Sequence, residues 1–145
     1  MLWRALLNGY LPDTYLKGVY MASPTDRKYS LDHEWVLVDG NEASIGITEY
    51  AATQLGSIVF VDLPEEGERF ESDEVFGEVE SVKSVSELLL PVGGEVIAVN
   101  QSLEDAPETV NDDPYGEGWL VRVRMDNEDD LEELVDSASY DASLS

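Results

Sequence analysis

Residues 77–94 of the chain read GEVESVKSVSELLLPVGG, and this stretch decides the fold. Apolar and polar residues alternate on both sides of Ser81-Val82-Lys83-Ser84, which is the pattern of two β-strands joined by a turn. The turn has no Gly or Asn to supply a positive φ, so a type I turn fits better than the primed hairpin turns. One face of the first strand is predicted to carry Val75, Gly77 and Val79, and the other Phe76, Glu78 and Glu80. The sequence therefore predicts a β-hairpin with Lys83 at its tip.

Lys83 is the only lysine that follows Lys28 in the chain. A lysine at a hairpin tip can enter the pocket of a modifying enzyme while its flexible stem stays clear of the domain. The carboxylates Glu78, Glu80 and Glu87 favour a charged ammonium, so this amine is not expected to act alone as a nucleophile or Schiff-base former. Lys83 is therefore predicted to be an acceptor that another enzyme acylates. The alternative is an ordinary solvated lysine in a turn.

Short strands and turns extend outward from the hairpin in both directions. The strands are predicted at residues 34–38, 43–47, 57–63, 95–100 and 119–125. Asp39-Gly40-Asn41 and Pro64-Glu65-Glu66-Gly67 are turn signals. Thr48 is expected to cap a short helix that runs through Gln54 and stops at Gly56. Many short strands with few helices predict a mainly β fold, an antiparallel β-sandwich or flattened barrel with small helices at its margins.

The last third of the chain is predicted to contain a loop, a strand and a helix. Residues 101–118 are rich in Asp, Glu, Asn, Pro and Gly, which is typical of a long surface loop. The strand at 119–125 should turn Val121 and Val123 to one face and its two arginines to the other. Leu131, Leu134 and Val135 have helical spacing, so a C-terminal helix is predicted over about 128–143. The tail after Ser137 is expected to be partly frayed.

Composition limits the classes of function. A chain of 145 residues with 43% hydrophobic residues suits one domain with a modest core. The formal net charge of -24 argues against binding to nucleic acid or to anionic membranes, and it predicts partners with basic surfaces. Because cysteine is absent, there is no disulfide framework and no thiol nucleophile, and redox chemistry would require a cofactor.

Two other groups of residues are candidate sites. His33 lies between Asp32 and Glu34, which could indicate an acid–base group or part of a metal site. A single histidine lacks metal-ligand spacing, so a structural role beside the first long strand is preferred. The acidic run could bind a hard cation, but it lacks an EF-hand pattern and is predicted to be a solvated edge. That run consists of Glu65, Glu66, Glu68, Glu71, Asp73 and Glu74.

The segment ESVKS followed by PVGGEVIAVN closely resembles the lipoyl-attachment region of the glycine cleavage system H protein family. Residues 28–139 follow the order and near spacing of that family, including KYSLDHEWV, ASIGITEYAATQLGSIVFVDLPEEGERF and DPYGEGW. The resemblance implies a lipoyl/biotinyl-type antiparallel β-sandwich, with residues 28–145 forming the carrier domain. Residues 1–27 are then expected to be a poorly ordered N-terminal extension in preference to a targeting peptide, since Met21 resembles a natural start for the family.

The resemblance also implies roles for single residues. Lys83 would carry lipoate in amide linkage, as N6-lipoyl-lysine. Glu34 and Glu87 would hold the loaded arm against the surface, although relatives commonly have Asp in place of Glu87. Glu80 would be recognised by the enzymes that attach lipoate. Gly94 matches the glycine that closes the motif, where the absence of a side chain permits a tight turn.

The implied function is that of a non-catalytic carrier. The lipoyl arm would take the aminomethyl group of glycine from the P protein (glycine decarboxylase) to the T protein (aminomethyltransferase), and the L protein (dihydrolipoyl dehydrogenase) would reoxidise it. Two alternatives stay open: an H-like lipoate relay that donates lipoyl groups to other complexes, and an interaction module without lipoate. Neither DKA nor MKM, the tips typical of other lipoyl and biotinyl carriers, occurs in SVKSV. Residues 1–20 make a poor transit peptide, so a bacterial cytoplasm is preferred to a mitochondrial matrix.

Overall fold

The computed structural model describes residues 22–144, in which nine strands form two antiparallel sheets. The strands are β1 (Lys28–Tyr29), β2 (Glu34–Asp39), β3 (Glu42–Ile47), β4 (Ile58–Asp62), β5 (Arg69–Phe70), β6 (Val75–Ser81), β7 (Val85–Leu89), β8 (Gly94–Val99) and β9 (Val121–Met125). The helices are α1 (Glu49–Leu55), α2 (Thr109–Asp112) and α3 (Ser137–Ser143), with 3₁₀ turns η1 (Gln101–Glu104) and η2 (Glu128–Glu133). The predicted mainly β, antiparallel architecture with small helices is confirmed.

The two sheets enclose the main core. The larger sheet has the order β1-β2-β3-β9-β8-β5, and the smaller one has the order β4-β6-β7. Residues from both sheets are fully buried between them, including Ile45, Val79, Val96 and Val121. Each such aliphatic side chain contributes about 1.5–3 kcal/mol by leaving water, so the shared core is what joins the sheets into a flattened sandwich.

Local signals placed the first hairpin and helix correctly. Asp39 pairs with Glu42 across a turn in which Gly40 has φ 66°. The hydroxyl of Thr48 accepts the amide of Ala51 and caps α1, as predicted. The helix ends at Gly56, which has φ 85°, a conformation that glycine adopts without a steric penalty.

Strand β6 departs from the predicted alternation. Its register with β7 shifts between Val75 and Gly77, which is the signature of a β-bulge. Phe76 and Val79, predicted on opposite faces, are therefore both buried, while Val75 is exposed. A Cβ at Gly77 would lie 2.3 Å from the carbonyl oxygen of Asp62, so β4 packs against this strand at a position that only glycine tolerates.

The strand predicted at 57–63 is present, but its apolar run, which is typical of a buried strand, is only partly buried. Strand β4 spans Ile58–Asp62 and lies at the edge of the smaller sheet. Val59 and Phe60 are 48% and 55% exposed, and only Ile58 and Val61 of the strand are buried. A register shift between Ile58 and Phe60 turns the apolar side chains outward.

The C-terminal region is not the single helix predicted over about 128–143. The 3₁₀ turn η2 ends at Glu133, and Val135 then forms a β-bridge with Tyr29. Asp136 caps α3, in which Tyr140 is fully buried, so the expected fraying after Ser137 is not observed within the described residues. Val135 pairs with Tyr29 in an extended conformation, and this pairing takes the place of helical hydrogen bonds. Tyr29 and Tyr140 are buried in one aromatic cluster, and Val135 packs against it.

Two further predictions concern segments outside the sheets. Residues 101–118, expected to be a surface loop, contain η1 and α2, with Leu103 and Val110 buried. Most of the predicted N-terminal extension, residues 1–21, lies outside the described residues. Its last residues contact the domain, since the Ser23 hydroxyl donates to Asp141 at 2.7 Å and Arg27 lies over the Trp35 ring at 4.7 Å. Among the helices of residues 22–144, none has the length and apolar character that crossing a bilayer requires.

Candidate functional site

The tip of the β6–β7 hairpin is fixed by a buried serine. The Ser81 hydroxyl accepts the backbone N–H groups of Lys83 and Ser84, both at 3.1 Å. The N–H of Ser81 donates to the carbonyl of Ser84 at 2.8 Å and closes the turn. Neither Val82 nor Lys83 has a positive φ, so the primed turns are excluded as predicted. The Ser81 hydroxyl thus takes the place of the backbone carbonyl that accepts the N–H of the fourth residue in an ordinary turn.

Lys83 is exposed at this tip, and its side chain lies against the junction of α1 and β4. Its Nζ lies 3.4 Å from the carbonyl oxygen of Gln54, the penultimate residue of α1. Its stem passes over Gly56, where a Cβ would lie 2.8 Å from Lys83 Cε. The N–H of Val82 donates to the carbonyl of Ser57 at 3.0 Å. The lysine is therefore accessible to a partner while the backbone beneath it is held.

The smaller sheet has a solvent-facing surface beside Lys83, which we call the outer face. Register places Phe60, Glu80 and Val85 in one row across the three strands, and Asp62, Glu78 and Glu87 in the next row. All six side chains are exposed. Like charges directly opposite each other destabilise a sheet, so the second row adds nothing to folding. The outer face combines apolar side chains near the tip with a band of carboxylates, which complements a basic protein surface.

Glu34 lies in a different environment from the other candidate carboxylates. It is 4% exposed, and its Oε1 accepts the hydroxyl of Ser30 at 2.6 Å. Burial raises the pKa of Glu34 to about 7, with a further increase from Asp32, against the lowering effect of hydrogen bonds from Ser30 and from the backbone of Leu89. A buried carboxyl that titrates near neutrality can hold either a proton or a cationic partner.

Strand β7 connects the two ends of the candidate site. Lys83 precedes this strand, Glu87 lies on its exposed side, and Glu34 reaches its far end at Leu89. Five residues at about 3.4 Å each give the strand a length of about 17 Å. Lys83 thus lies before the start of β7, Glu87 lies within the strand, and Glu34 contacts its last residue.

His33 has a structural environment. It has φ 75°, and its Nδ1 lies 2.8 Å from the hydroxyl of Tyr140. Its ring packs on Tyr50 with centroids 4.7 Å apart. Burial lowers the pKa of His33, which favours the neutral ring in this setting. The geometry matches the predicted structural role at the start of β2.

The acidic run after β4 and the closing glycine have simple structural explanations. All six carboxylates of the run are exposed, and no three potential metal ligands converge within residues 22–144. Gly94 is the first residue of β8, is paired with Met125 of β9 and has no positive φ, so the tight-turn explanation is wrong. A Cβ there would lie 2.1 Å from the carbonyl oxygen of Arg124, so close packing of β8 on β9 requires the glycine.

Sequence reasoning missed the residues that support the tip. The sequence indicates Ser81 only as part of the turn, although a serine hydroxyl can accept the backbone N–H groups two and three residues after it. Asn111 lies in the predicted surface loop, yet its side chain forms hydrogen bonds with the backbone beneath Lys83. No local signal marks Asn111, because its partners lie more than fifty positions away along the chain.

Fold and site together define a small β-sandwich domain that presents a lysine on a fixed hairpin tip beside an acidic surface. A family model described as "Glycine cleavage H-protein" matches residues 27–145. The chain belongs to the glycine cleavage H-protein family.

Individual relatives agree with this assignment over most of their length. The chain is 52% identical over 122 residues to the glycine cleavage system H protein of Bacteroides fragilis, covering 84% of this chain and 97% of that protein. It is 51% identical over 119 residues to the protein of the same name from Symbiobacterium thermophilum, covering 82% and 93%. The crystal structure of a glycine cleavage system H protein from Mycobacterium marinum matches with a TM-score of 0.76 and 39% identity, covering 84% of this chain and 98% of that one.

Proposed function

We propose that this protein is the lipoyl carrier of the glycine cleavage system, with lipoate in amide linkage on Lys83. The observation that carries the proposal is an exposed lysine on a fixed hairpin tip in a chain of this family. When bound, lipoate supplies a disulfide that takes up the aminomethyl group of glycine and is afterwards restored by oxidation. The chain itself is non-catalytic and contributes attachment, orientation and docking.

The surroundings of Lys83 fit this attachment. Val82 and Ser84 on either side are exposed, so no large side chain obstructs the amine. Ser81 fixes the turn below it, so an attaching enzyme meets the lysine in a defined orientation. A tether at this point raises the effective concentration of the carried group at each docked active site.

The partners are the P protein, the T protein, the L protein and the lipoate-attaching enzymes. The outer face supports basic partner surfaces, because its second row consists of carboxylates only. Glu80 lies in the first row, between Phe60 and Val85, and is the residue proposed for recognition by the attaching enzymes. Relatives from bacteria favour a bacterial cytoplasm as the compartment.

Glu34 and Glu87 are proposed to hold the loaded arm by pairing with its protonated amine. Glu87 lies in β7, and Glu34, in β2, is buried beside Leu89 at the far end of that strand. A cation arriving beside Glu34 favours the ionised carboxylate, so docking would release its proton. The buried position would also limit the access of water to the carried group.

The test is glycine-dependent exchange of labelled carbon dioxide, measured with purified P protein and lipoylated carrier. Wild-type protein should support exchange, and Lys83→Arg should not, because arginine cannot form the amide. Glu34→Gln should lipoylate normally and hold the loaded arm less well. Lipoylated protein that fails to support exchange but passes its lipoyl group to other carrier domains would favour the relay instead. Protein that accepts no lipoate would favour the interaction module.

A further inference from the structure

The hairpin tip rests on a short backbone segment that we call the lysine seat, formed by Gln54, Gly56 and Ser57. The Ser57 carbonyl accepts the N–H of Val82 at 3.0 Å. Gly56 leaves room for the stem of Lys83, and the carbonyl of Gln54 lies 3.4 Å from Nζ. The orientation of the tip therefore depends on the shape of a segment that lies outside the hairpin.

One side chain holds the lysine seat from beneath. Asn111 in α2 donates through Nδ2 to the carbonyl of Gly56 at 2.8 Å and accepts through Oδ1 from the N–H of Ile58 at 2.9 Å. The two bonds bracket Ser57, the residue that bonds the tip. A weaker contact of 3.4 Å joins Nδ2 to the carbonyl of Ala52 in α1. Asn111 thus fixes both sides of the contact point without touching Lys83.

We propose that Asn111 is a positioning residue for the acylation of Lys83. The inference rests on the proposed function. In the reaction, the deprotonated Nζ attacks the carbonyl carbon of an activated lipoate such as an acyl-adenylate. The C–N amide bond forms, the C–O bond to the leaving nucleotide breaks, and the amine proton passes to the attaching enzyme or to solvent.

Removal of the Asn111 side chain would change the range of orientations of the hairpin tip. Without its side chain, the Gly56 carbonyl and the Ile58 amide lose their partners, and Ser57 no longer holds Val82 in one place. The tip would then sample a wider range of orientations, of which the attaching enzyme binds only a fraction. Apparent affinity falls by that fraction, while the chemical step is unchanged once the lysine is bound.

The experiment compares Asn111→Ala with Asn100→Ala in steady-state attachment by an ATP-dependent lipoate ligase. Asn100 is a matched control because its side chain also bonds backbone groups, the carbonyls of Glu117 and Trp119, away from the tip. Asn111→Ala should raise the KM for the carrier by about 5–10-fold with kcat within about twofold. Asn100→Ala should leave both within about twofold of wild type, since its loss does not reach the lysine seat.

A second pair of variants tests the premise of the inference, that the shape of the lysine seat controls attachment, even if Asn111→Ala does not fold. Gly56→Ala places a methyl group against the stem of Lys83, whereas a Cβ at Gly67 meets nothing within 4 Å. The two glycines have similar positive φ values, 85° and 95°, so Gly67→Ala controls for backbone strain. KM should rise in Gly56→Ala and stay at the wild-type value in Gly67→Ala.

Amide hydrogen exchange at Val82 gives a readout that does not depend on the ligase. Exchange should accelerate in Asn111→Ala and remain at the wild-type rate in Asn100→Ala. Equal KM values and equal Val82 exchange in the two asparagine variants would overturn the inference and leave the proposed function intact. Wild-type protein that accepts no lipoate would overturn the proposed function and the inference together.

Discussion

The smaller sheet and the aromatic cluster beside β1 of the larger sheet differ in how much of their surface is exposed to solvent. The smaller sheet exposes an apolar and acidic outer face, and its lysine tip is held by backbone N–H groups that donate to the Ser81 hydroxyl and the Ser57 carbonyl. The aromatic cluster, formed by Tyr29, Trp35 and Tyr140, buries almost all of its surface. The difference indicates that presentation of Lys83 and stability of the domain are assigned to separate residues.

The aromatic cluster joins the two ends of the described chain. Tyr140 in α3 stacks on Tyr29 in β1 with ring centroids 5.0 Å apart. Its hydroxyl also lies 2.8 Å from His33 Nδ1 and 2.7 Å from Thr48 Oγ1. These contacts hold α3, β1 and the start of α1 together. A substitution in the cluster should therefore change the free energy of unfolding and leave the attachment of lipoate to Lys83 unchanged.

The largest effect is expected for Tyr140→Ala. Removing a fully buried ring should lower the free energy of unfolding by about 3–5 kcal/mol, measured by denaturant titration. Tyr140→Phe should lose only the hydroxyl contacts, at a cost of about 1–3 kcal/mol. Well below its melting temperature, each folded variant should accept lipoate at the wild-type rate. A loss of less than about 1 kcal/mol in Tyr140→Ala would contradict the division between the two regions.

Glu34→Gln should change how stability depends on pH. The folded state holds the Glu34 proton up to about pH 7, whereas the unfolded chain releases it near the ordinary value of 4.5. Stability from this proton is therefore fully present below pH 4.5 and is lost as the pH rises through 7, a difference of about 3 kcal/mol. Glutamine stays neutral, so the variant should gain on wild type by that amount over the same range.

Denaturant titrations at several pH values measure this gain, and Glu87→Gln, which removes an exposed carboxylate of the outer face, is the comparison. Because Glu87 is exposed, its replacement should gain much less on wild type than Glu34→Gln does. A constant difference between Glu34→Gln and wild type across the range would show that Glu34 is not held in its neutral form by burial.

Ser81→Ala should have a smaller effect on stability and a local effect on the tip. The amides of Lys83 and Ser84 lose their shared acceptor, which should cost about 1–2 kcal/mol. Hydrogen exchange at these two amides should accelerate. Ser84→Ala removes the exposed neighbouring hydroxyl and should leave exchange at Lys83 unchanged, so equal effects of the two variants would count against Ser81 as the support of the turn.

Val85→Thr should have the smallest effect. The side chain is 58% exposed on the outer face, and threonine keeps its shape and β-branching. The free energy of unfolding should change by no more than about 0.5 kcal/mol. A larger loss in thermal or denaturant unfolding would mean that the outer face contributes to stability and that the separation of roles is incomplete.

Elements governed by neighbouring residues could be predicted from the sequence. The hairpin at Lys83, the glycine turn at Gly40 and the helix between Thr48 and Gly56 all depend on residues within a few positions of each other. The site residues follow the same rule, since the position of Lys83 at a tip is a local property. The burial of Glu34 is not a local property, because it depends on a contact with Leu89 of β7, a strand of the other sheet.

Features set by distant contacts could not be predicted. The bulge at Phe76 occurs in a strand that pairs with both β4 and β7, and no local sequence pattern predicts it. The C-terminal segment has helical spacing, but Val135 pairs with Tyr29, a residue near the other end of the domain. Asn111 supports Lys83 through three backbone groups that only the folded chain brings together.

The most direct test of the central claim is the intact mass of the protein purified from its own lipoate-replete host, followed by peptide mapping across Lys83. The account predicts a lipoyl-sized increment on Lys83 that is absent from a Lys83→Arg variant, while Lys28 stays unmodified. Protein without that increment, which lipoate-attaching enzymes also fail to modify in vitro, would contradict the account.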